Sequence, residues 1–263
     1  MSHGGRLRRP ESMETMTIAI VGGTGTLGRQ IAAELEARGH KVRPLSRHAP
    51  EYRIDLATGN GLGPALAGCD VVVDASNSSA RRPTGILVDG SRRLLEAGAA
   101  AGVTHHVCVS MVGCDQVPMS YFRVKTDQER VVSQGAVPWS IVRSTQFHEL
   151  VGTVIAAAGR WRVLPMPRGV LQPVACADAA RAVADVAEGA PLNRCLTVAG
   201  PEVSEVRDLA RTWRKVTGHR AALIPMPGPG TVGRALRSGA LTVPRPDVRG
   251  ATGFADWLRS VPG

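Results

Sequence analysis

Apolar positions in the first half of the chain fall into short runs, each followed by a stretch with helical spacing. Thr17 to Val21 is apolar and β-branched and ends at the glycine-rich stretch Gly22 to Gly28. Leu27 to Arg38 then carries Ile31, Leu35 and several alanines at helical intervals, with Gly39 as a fitting terminal glycine. Lys41 to Ser46 predicts a second strand, Tyr52 to Ile54 a short third, and Gly61 to Ala67 a short helix. Val71-Val72-Val73 is apolar on both faces, as buried strands of parallel sheets are. Gly85 to Ala101 predicts a helix closed by Gly102, and His106 to Ser110 a fifth strand, with His105-His106 read as the loop entering it. Tyr121 to Gln134 predicts a helix and Trp139 to Arg143 a sixth strand. Strands alternating with helices at this pitch mean βαβ units, so the fold class is α/β with a doubly wound parallel sheet.

The rhythm changes after about residue 145. Asp178 to Glu188 and Ser204 to Thr217 have helical spacing, Leu196 to Val198 and Ala221 to Ile224 read as short strands, and Phe254 to Arg259 as a final short helix. Pro225 to Pro229 is either a turn or a pocket rim. The chain therefore divides into a flexible extension over 1–16, a core over 17–145, and a mostly substrate-binding α+β lobe over 146–263 with segments returning to the core. Met13 and Met16 are alternative starts for the extension.

Composition narrows the function classes. Charged residues at 21% and hydrophobic ones at 43% are globular values, so wholesale disorder is excluded. No apolar run reaches the roughly 18–20 residues of a membrane span, and the start lacks the apolar core of a secretory signal. The net charge of +10 is almost wholly arginine, since Lys41, Lys125 and Lys215 are the only lysines. Those arginines are scattered and aromatics are 3%, too few for a base-stacking platform, so the excess reads as a solvated surface or an attraction for phosphates, not a nucleic-acid site. Five cysteines without a Cys-x-x-Cys pair indicate neither a disulfide framework nor zinc, and no metal site is expected. A reducing cytoplasm fits this cysteine usage.

The stretch Gly22-Gly23-Thr24-Gly25-Thr26-Leu27-Gly28 contains G-x-G-x-x-G between a predicted strand and a predicted helix. Glycine permits the tight turn, the approach of backbone to a pyrophosphate and the packing of helix on strand, and the helix N-terminus offers free N–H groups. Thr24 and Thr26 can add hydroxyl donors. No Gly-Lys-Ser/Thr follows, which excludes a nucleoside-triphosphatase loop. A carboxylate at the end of the second strand would select NAD; this chain has Leu45-Ser46-Arg47. Arg47, helped by Ser46, suits a 2′-phosphate, so the expected cofactor is NADP(H), with Arg43 a weaker candidate for the same role. Asp55 either bonds the adenine amino group or caps a turn. Ala75-Ser76-Asn77, ending the fourth strand, should line the cofactor's central portion.

Tyr121 and Lys125 are spaced i, i+4 on the predicted helix and share a face. An ammonium near a phenol lowers its pKa from about 10, which readies Tyr121 to pass a proton to a carbonyl oxygen as hydride arrives at carbon. Lys125 can also bond the nicotinamide ribose, and Ser110, at a strand end, can hold the same substrate oxygen. Met111, Gln146, Phe147 and His148 are the expected substrate contacts, His148 being either a relay group or a structural hydrogen-bonder.

Gly22 to Gly28, Arg47, Ser110, Tyr121 and Lys125 together resemble the short-chain dehydrogenase/reductase superfamily. The segments Tyr121-Phe122-Arg123-Val124-Lys125, Pro138-Trp139-Ser140-Ile141-Val142-Arg143, Ser144-Thr145-Gln146-Phe147-His148-Glu149 and Gln172-Pro173-Val174, with Asp178 after it, resemble its atypical, NmrA-like NAD(P)H-binding branch. The resemblance implies a Rossmann-type core with a small C-terminal lobe, a Tyr121–Lys125 catalytic pair, and Ser110 as the catalytic serine. It implies an NADPH-dependent reductase of a small organic molecule or, alternatively, a non-catalytic NADP(H) sensor with a protein partner.

Overall fold

The computed structural model describes residues 14–77, 84–159, 163–228 and 230–261. The expected extension over 1–16 falls largely outside them, as does Pro229. In chain order the first half gives β1 (Thr17–Val21), α1 (Thr26–Ala37), β2 (Lys41–Ser46), β3 (Tyr52–Arg53), α2 (Leu62–Leu66), β4 (Val71–Asp74), α3 (Thr84–Ala100), β5 (His105–Met111), α4 (Ser120–Ser133) and β6 (Trp139–Ser144). The second half gives α5 (His148–Gly159), β7 (Val163–Pro167), β8 (Val170–Leu171), α6 (Cys176–Glu188), β9 (Cys195–Ala199), β10 (Ser204–Glu205), α7 (Val206–Thr217), β11 (Ala222–Met226), α8 (Gly230–Ser238), β12 (Val248–Arg249) and α9 (Phe254–Ser260).

Among the described residues eight strands form one sheet in the order β12-β9-β6-β5-β4-β1-β2-β3, parallel at every pairing. This is a Rossmann-type doubly wound sheet. Strand period two divides its core. Ile18 and Ile20 of β1 join Val71, Val73, Val107 and Val142 against α1 and α6. Ala19 and Val21 join Leu45, Val72, Cys108 and Ile141 against α2, α3 and α4 on the other face. The order reverses between β1 and β4, so a crevice opens at their carboxyl ends, where ligands of such sheets bind.

The second half both leaves the sheet and returns to it. β9 extends it beyond β6, and β12 pairs with β9. From the segments before, between and after these returns a separate cluster forms around Val151, Ile155, Leu164, Leu209, Trp213 and Phe254, from α5, β7, α7 and α9. α6 packs on α1 through an alanine-rich face in which Ala180 and Ala184 are buried. Small residues let the two helices approach closely, so Ala184→Leu should overpack them and cost about 1–3 kcal/mol, read as a lower denaturant midpoint at unchanged m-value.

Two expectations need correction. His105 and His106 lie in β5, not in a loop, paired with Val71 and Val72 of β4. Burial keeps both rings neutral, pushing His105 down to about 4 and His106 below its usual range, which is how imidazoles fit a core strand. The strand at Ala222 continues through Pro225 to Met226, because β11 is an edge strand that needs no N–H from the proline. All five cysteines are free.

Candidate functional site

The turn after β1 is built by close backbone approach. Gly22 sits at φ 75°, in the left-handed region, and a Cβ there would come 2.7 Å from the Ala75 carbonyl oxygen. Its N–H donates to the Leu45 carbonyl at 2.9 Å, and the Gly25 N–H closes the turn on the Gly22 carbonyl at 2.9 Å. Gly25 is the N-cap of α1, with no side chain capping the helix and no acidic residue in its first turn. The leading N–H groups of α1 thus have no intrahelical acceptor and favour an anion. The residues fit the diphosphate of a dinucleotide.

A cleft of about 500 Å³ adjoins this turn, and its lining includes Gly22, Thr24, Gly25, Ser46, Arg47 and Asp55. Gly23, Thr26, Leu27, Gly28 and Ala75 are not in that lining. A Cβ on Gly23 would meet the Pro44 Cα at 2.7 Å, and one on Gly28 would collide with the Gly22 carbonyl, while Leu27 and Ala75 pack against the core. These residues shape the turn and support its backing.

Arg47 is exposed and lies between the cleft and a neighbouring hollow of about 350 Å³ that Arg53, Asp55 and Asn60 also line. Arg43 is engaged elsewhere. Its guanidinium donates to the Ala65 and Ala67 carbonyls at 3.1 and 2.7 Å and lies 5.1 Å from the Tyr52 ring centre. Asp55 caps a turn, its Oδ1 accepting the Ala57 N–H at 3.0 Å, and it lines the cleft. Ser46 Oγ accepts the His48 N–H at 3.1 Å.

A second cleft of about 360 Å³ contains Ser110, Met111, Tyr121, Lys125, Gln146 and Phe147 in its lining. Ser76 and Asn77 belong to both clefts, so the two adjoin just past the carboxyl end of β4. Tyr121, near the start of α4, donates its hydroxyl to Asn77 Oδ1 at 2.6 Å. Burial pushes its phenol above the ordinary value, so the expected lowering by Lys125 is not met. The reason is local: the Lys125 ammonium is buried and donates to the Val109 carbonyl at 2.8 Å and to Gln128 Oε1 at 2.5 Å. Ser110 is buried at the end of β5, with its Oγ 3.9 Å from Cys114 Sγ.

Gln146 Nε2 donates to the Leu241 carbonyl at 3.1 Å, tying the cleft wall to the second half of the chain. His148 lies outside the lining. It is buried, its Nε2 is 3.0 Å from the Thr252 carbonyl, and its ring packs against both Phe254 and Trp257 of α9. Burial holds its pKa low, and its structural reading is the one the geometry meets. Sequence reasoning missed Leu150, which stands at the second cleft, and Arg53 beside the first. The spacing of Leu150, Val151, Val154 and Ile155 carries the helical period that reveals α5.

Sheet order and turn define a dinucleotide-binding fold of the Rossmann class. The sequence profile of the NAD(P)H-binding family matches residues 22–155. The (4-alkanoyl-5-oxo-2,5-dihydrofuran-3-yl)methyl phosphate reductase of Streptomyces griseus is 31% identical over 220 residues, covering 76% of this chain and 74% of that protein. Photosystem II assembly factor Ycf39 of Trieres chinensis is 30% identical over 152 residues, 51% of this chain and 47% of that protein. The chain thus spans about half the length of the Ycf39 proteins it matches. Among solved structures, the NADPH-dependent quinone oxidoreductase QOR2 of Escherichia coli, complexed with NADPH, superposes with a TM-score of 0.73 at 19% identity, covering 92% of this chain and 98% of that one, which shows the shared fold. The chain belongs to the NAD(P)H-binding family. Among the described residues no helix is long and apolar enough to cross a membrane.

Proposed function

We propose that the chain is an NADPH-dependent oxidoreductase that reduces a carbonyl, or an activated double bond, of a small organic substrate. The observation that carries this reading is the shared Ser76-Asn77 floor: a ligand held at the glycine turn extends from one cleft into the next, toward Tyr121, Lys125 and Ser110. Bound NADPH supplies the hydride. Thr24 and the start of α1 hold the diphosphate, Arg47 with Ser46 the 2′-phosphate, and Asp55 the adenine edge. Ser110 bonds the substrate oxygen, Lys125 the nicotinamide ribose, and Tyr121 gives its proton to the oxygen. Met111, Gln146 and Phe147 bound the substrate. Val109, Met111, Phe147 and Leu150 make this wall largely apolar, which favours an uncharged substrate. The Streptomyces relative, a reductase by name, supports the reaction class.

NADPH oxidation followed with a panel of small uncharged ketones and conjugated enones tests the reading; no oxidation above background with any of them counts against it. Arg47→Ala should raise the NADPH dissociation constant about 10- to 100-fold, the worth of a charge-assisted bond, and leave that for NADH within about twofold. Equal losses for both cofactors in a fluorescence titration would remove Arg47 as the phosphate ligand.

A second reading, a cofactor-sensing protein that binds a protein partner, is favoured by two observations. Tyr121 and Lys125 are bonded to Asn77, Val109 and Gln128 and not to one another, and assembly factors stand among the relatives. Capture of partners compared under NADP⁺ and NADPH separates the two readings, since indifference to redox state excludes a sensor.

A further inference from the structure

Lys125 is 4% exposed, yet neither acceptor of its ammonium is an anion. A buried charge without a counter-charge is costly. Gln128, one turn further along α4 and fully buried, donates Nε2 to Asp74 Oδ2 at 3.0 Å and to Ser91 Oγ at 2.9 Å. Ser91 in turn donates its hydroxyl to Asp74 Oδ2 at 3.0 Å. Asp74 is the last residue of β4, is fully buried, and takes the Ser76 N–H on Oδ1 at 3.0 Å. Among the described residues its hydrogen-bond partners are an amide, a hydroxyl and a backbone N–H, all neutral. A buried cation and a buried anion therefore stand at opposite ends of one carboxamide, whose oxygen meets the cation and whose N–H meets the anion.

We infer that Asp74 is the counter-ion of Lys125, relayed through Gln128, and that Asp74 and Gln128 are positioning residues for the lysine. The carboxamide is polarised by both charges, and such chains strengthen each bond in a low-dielectric interior. The same carboxylate fixes the Ser76 N–H, at the head of the segment shared by both clefts, and Asn77 beside it accepts the Tyr121 hydroxyl. One buried carboxylate thus sets the floor of the clefts and the lysine beside it. The functional half of this inference rests on the reductase reading of Lys125; the electrostatic half does not.

A thermodynamic cycle on the full chain separates an ion-pair relay from simple satisfaction of buried polar atoms. Asp74→Asn and Lys125→Met each leave one charge buried alone and should lower the melting temperature by at least about 4 °C. The double variant removes both charges and should recover at least about half of the summed loss. Additive losses would overturn the relay. An Asp74→Asn chain recovered in soluble form only when Lys125→Met accompanies it is the same supporting result in its extreme form.

Turnover with NADPH then reads the positioning role. Gln128→Leu should lower kcat at least about tenfold, and Gln128→Glu combined with Asp74→Asn, which keeps an acceptor for the ammonium and gives that acceptor an amide donor in place of a second carboxylate, should restore part of that rate. Equal rates in Gln128→Leu and in that double variant would overturn positioning. Unchanged turnover in Lys125→Met would sink the reductase role of the lysine, while the melting cycle would still decide the relay.

Discussion

Replacing Tyr121 by Phe should lower turnover by about 10²-fold or more and leave NADPH affinity within a few-fold. The substitution deletes one oxygen from a half-buried side chain. Its ring keeps its edge contact with Phe122 and its packing beside Leu87 and Val124, so the start of α4 should persist. The hydrogen bond to Asn77 Oδ1 is lost, but the glycine turn and Arg47 are untouched. The pH dependence has a definite sign. Burial raises the phenol above its ordinary value near 10, so the proton a reduction consumes stays on oxygen through acid and neutral pH. Activity due to this donor is therefore present at low pH and fades only as pH rises beyond the ordinary phenol range. A kcat profile measured from pH 6 to 9 should show no fall assignable to Tyr121. A drop centred between pH 7 and 9 that vanishes in Tyr121→Phe would show that binding of cofactor or substrate pulls the phenol down, and wild-type turnover in the variant would place the donor elsewhere.

Gly28→Ala should weaken NADPH binding by at least about 100-fold, because the added carbon has nowhere to go. It would collide with the Gly22 carbonyl and come 2.8 Å from the Gly23 Cα, and these are backbone atoms that no rotamer change can move. α1 cannot simply retreat. Ile31 and Leu35 hold it in the core, and α6 packs against it on the same face of the sheet. Accommodation must therefore deform the turn itself, the element proposed to meet the diphosphate. Gly98→Ala in α3 is the matched control, since its added carbon meets only the Val103 side chain at an ordinary 3.7 Å and alanine suits a helix. Fluorescence titration of both variants makes the comparison. Full affinity in Gly28→Ala would show that the turn does not grip the cofactor.

The amino-terminal half was legible because its physics is local. Strands buried on both faces read as apolar runs, and glycine marks each turn with a positive φ or a close approach. The β1–α1 turn and the Tyr121–Lys125 spacing announced themselves for this reason. The use to which the pair is put was not legible. Lys125 meets the carbonyl of Val109 and an amide one turn ahead, and the chain between Tyr121 and Lys125 gives no sign of either. His148 shows the same limit, because its partner Thr252 lies 104 residues away. β12 and β8 are two-residue strands made by tertiary pairing, too short to leave a period. The histidines at the head of β5 concealed where that strand begins, because only burial, which the sequence does not display, makes them neutral enough for a core.

The route of the chain past β6 has an architectural outcome. It departs from one sheet strand, comes back through α6 to β9 alongside, departs again and comes back at β12 alongside that. Each departure is rooted at both ends on neighbouring strands, like a handle on a fixed plate. The two handles are also joined to each other, β7 to β11 and β8 to β10, so they can be exchanged only as one piece. The alanine helix cannot be exchanged with them, because it covers the face on which α1 rests and must travel with the nucleotide half.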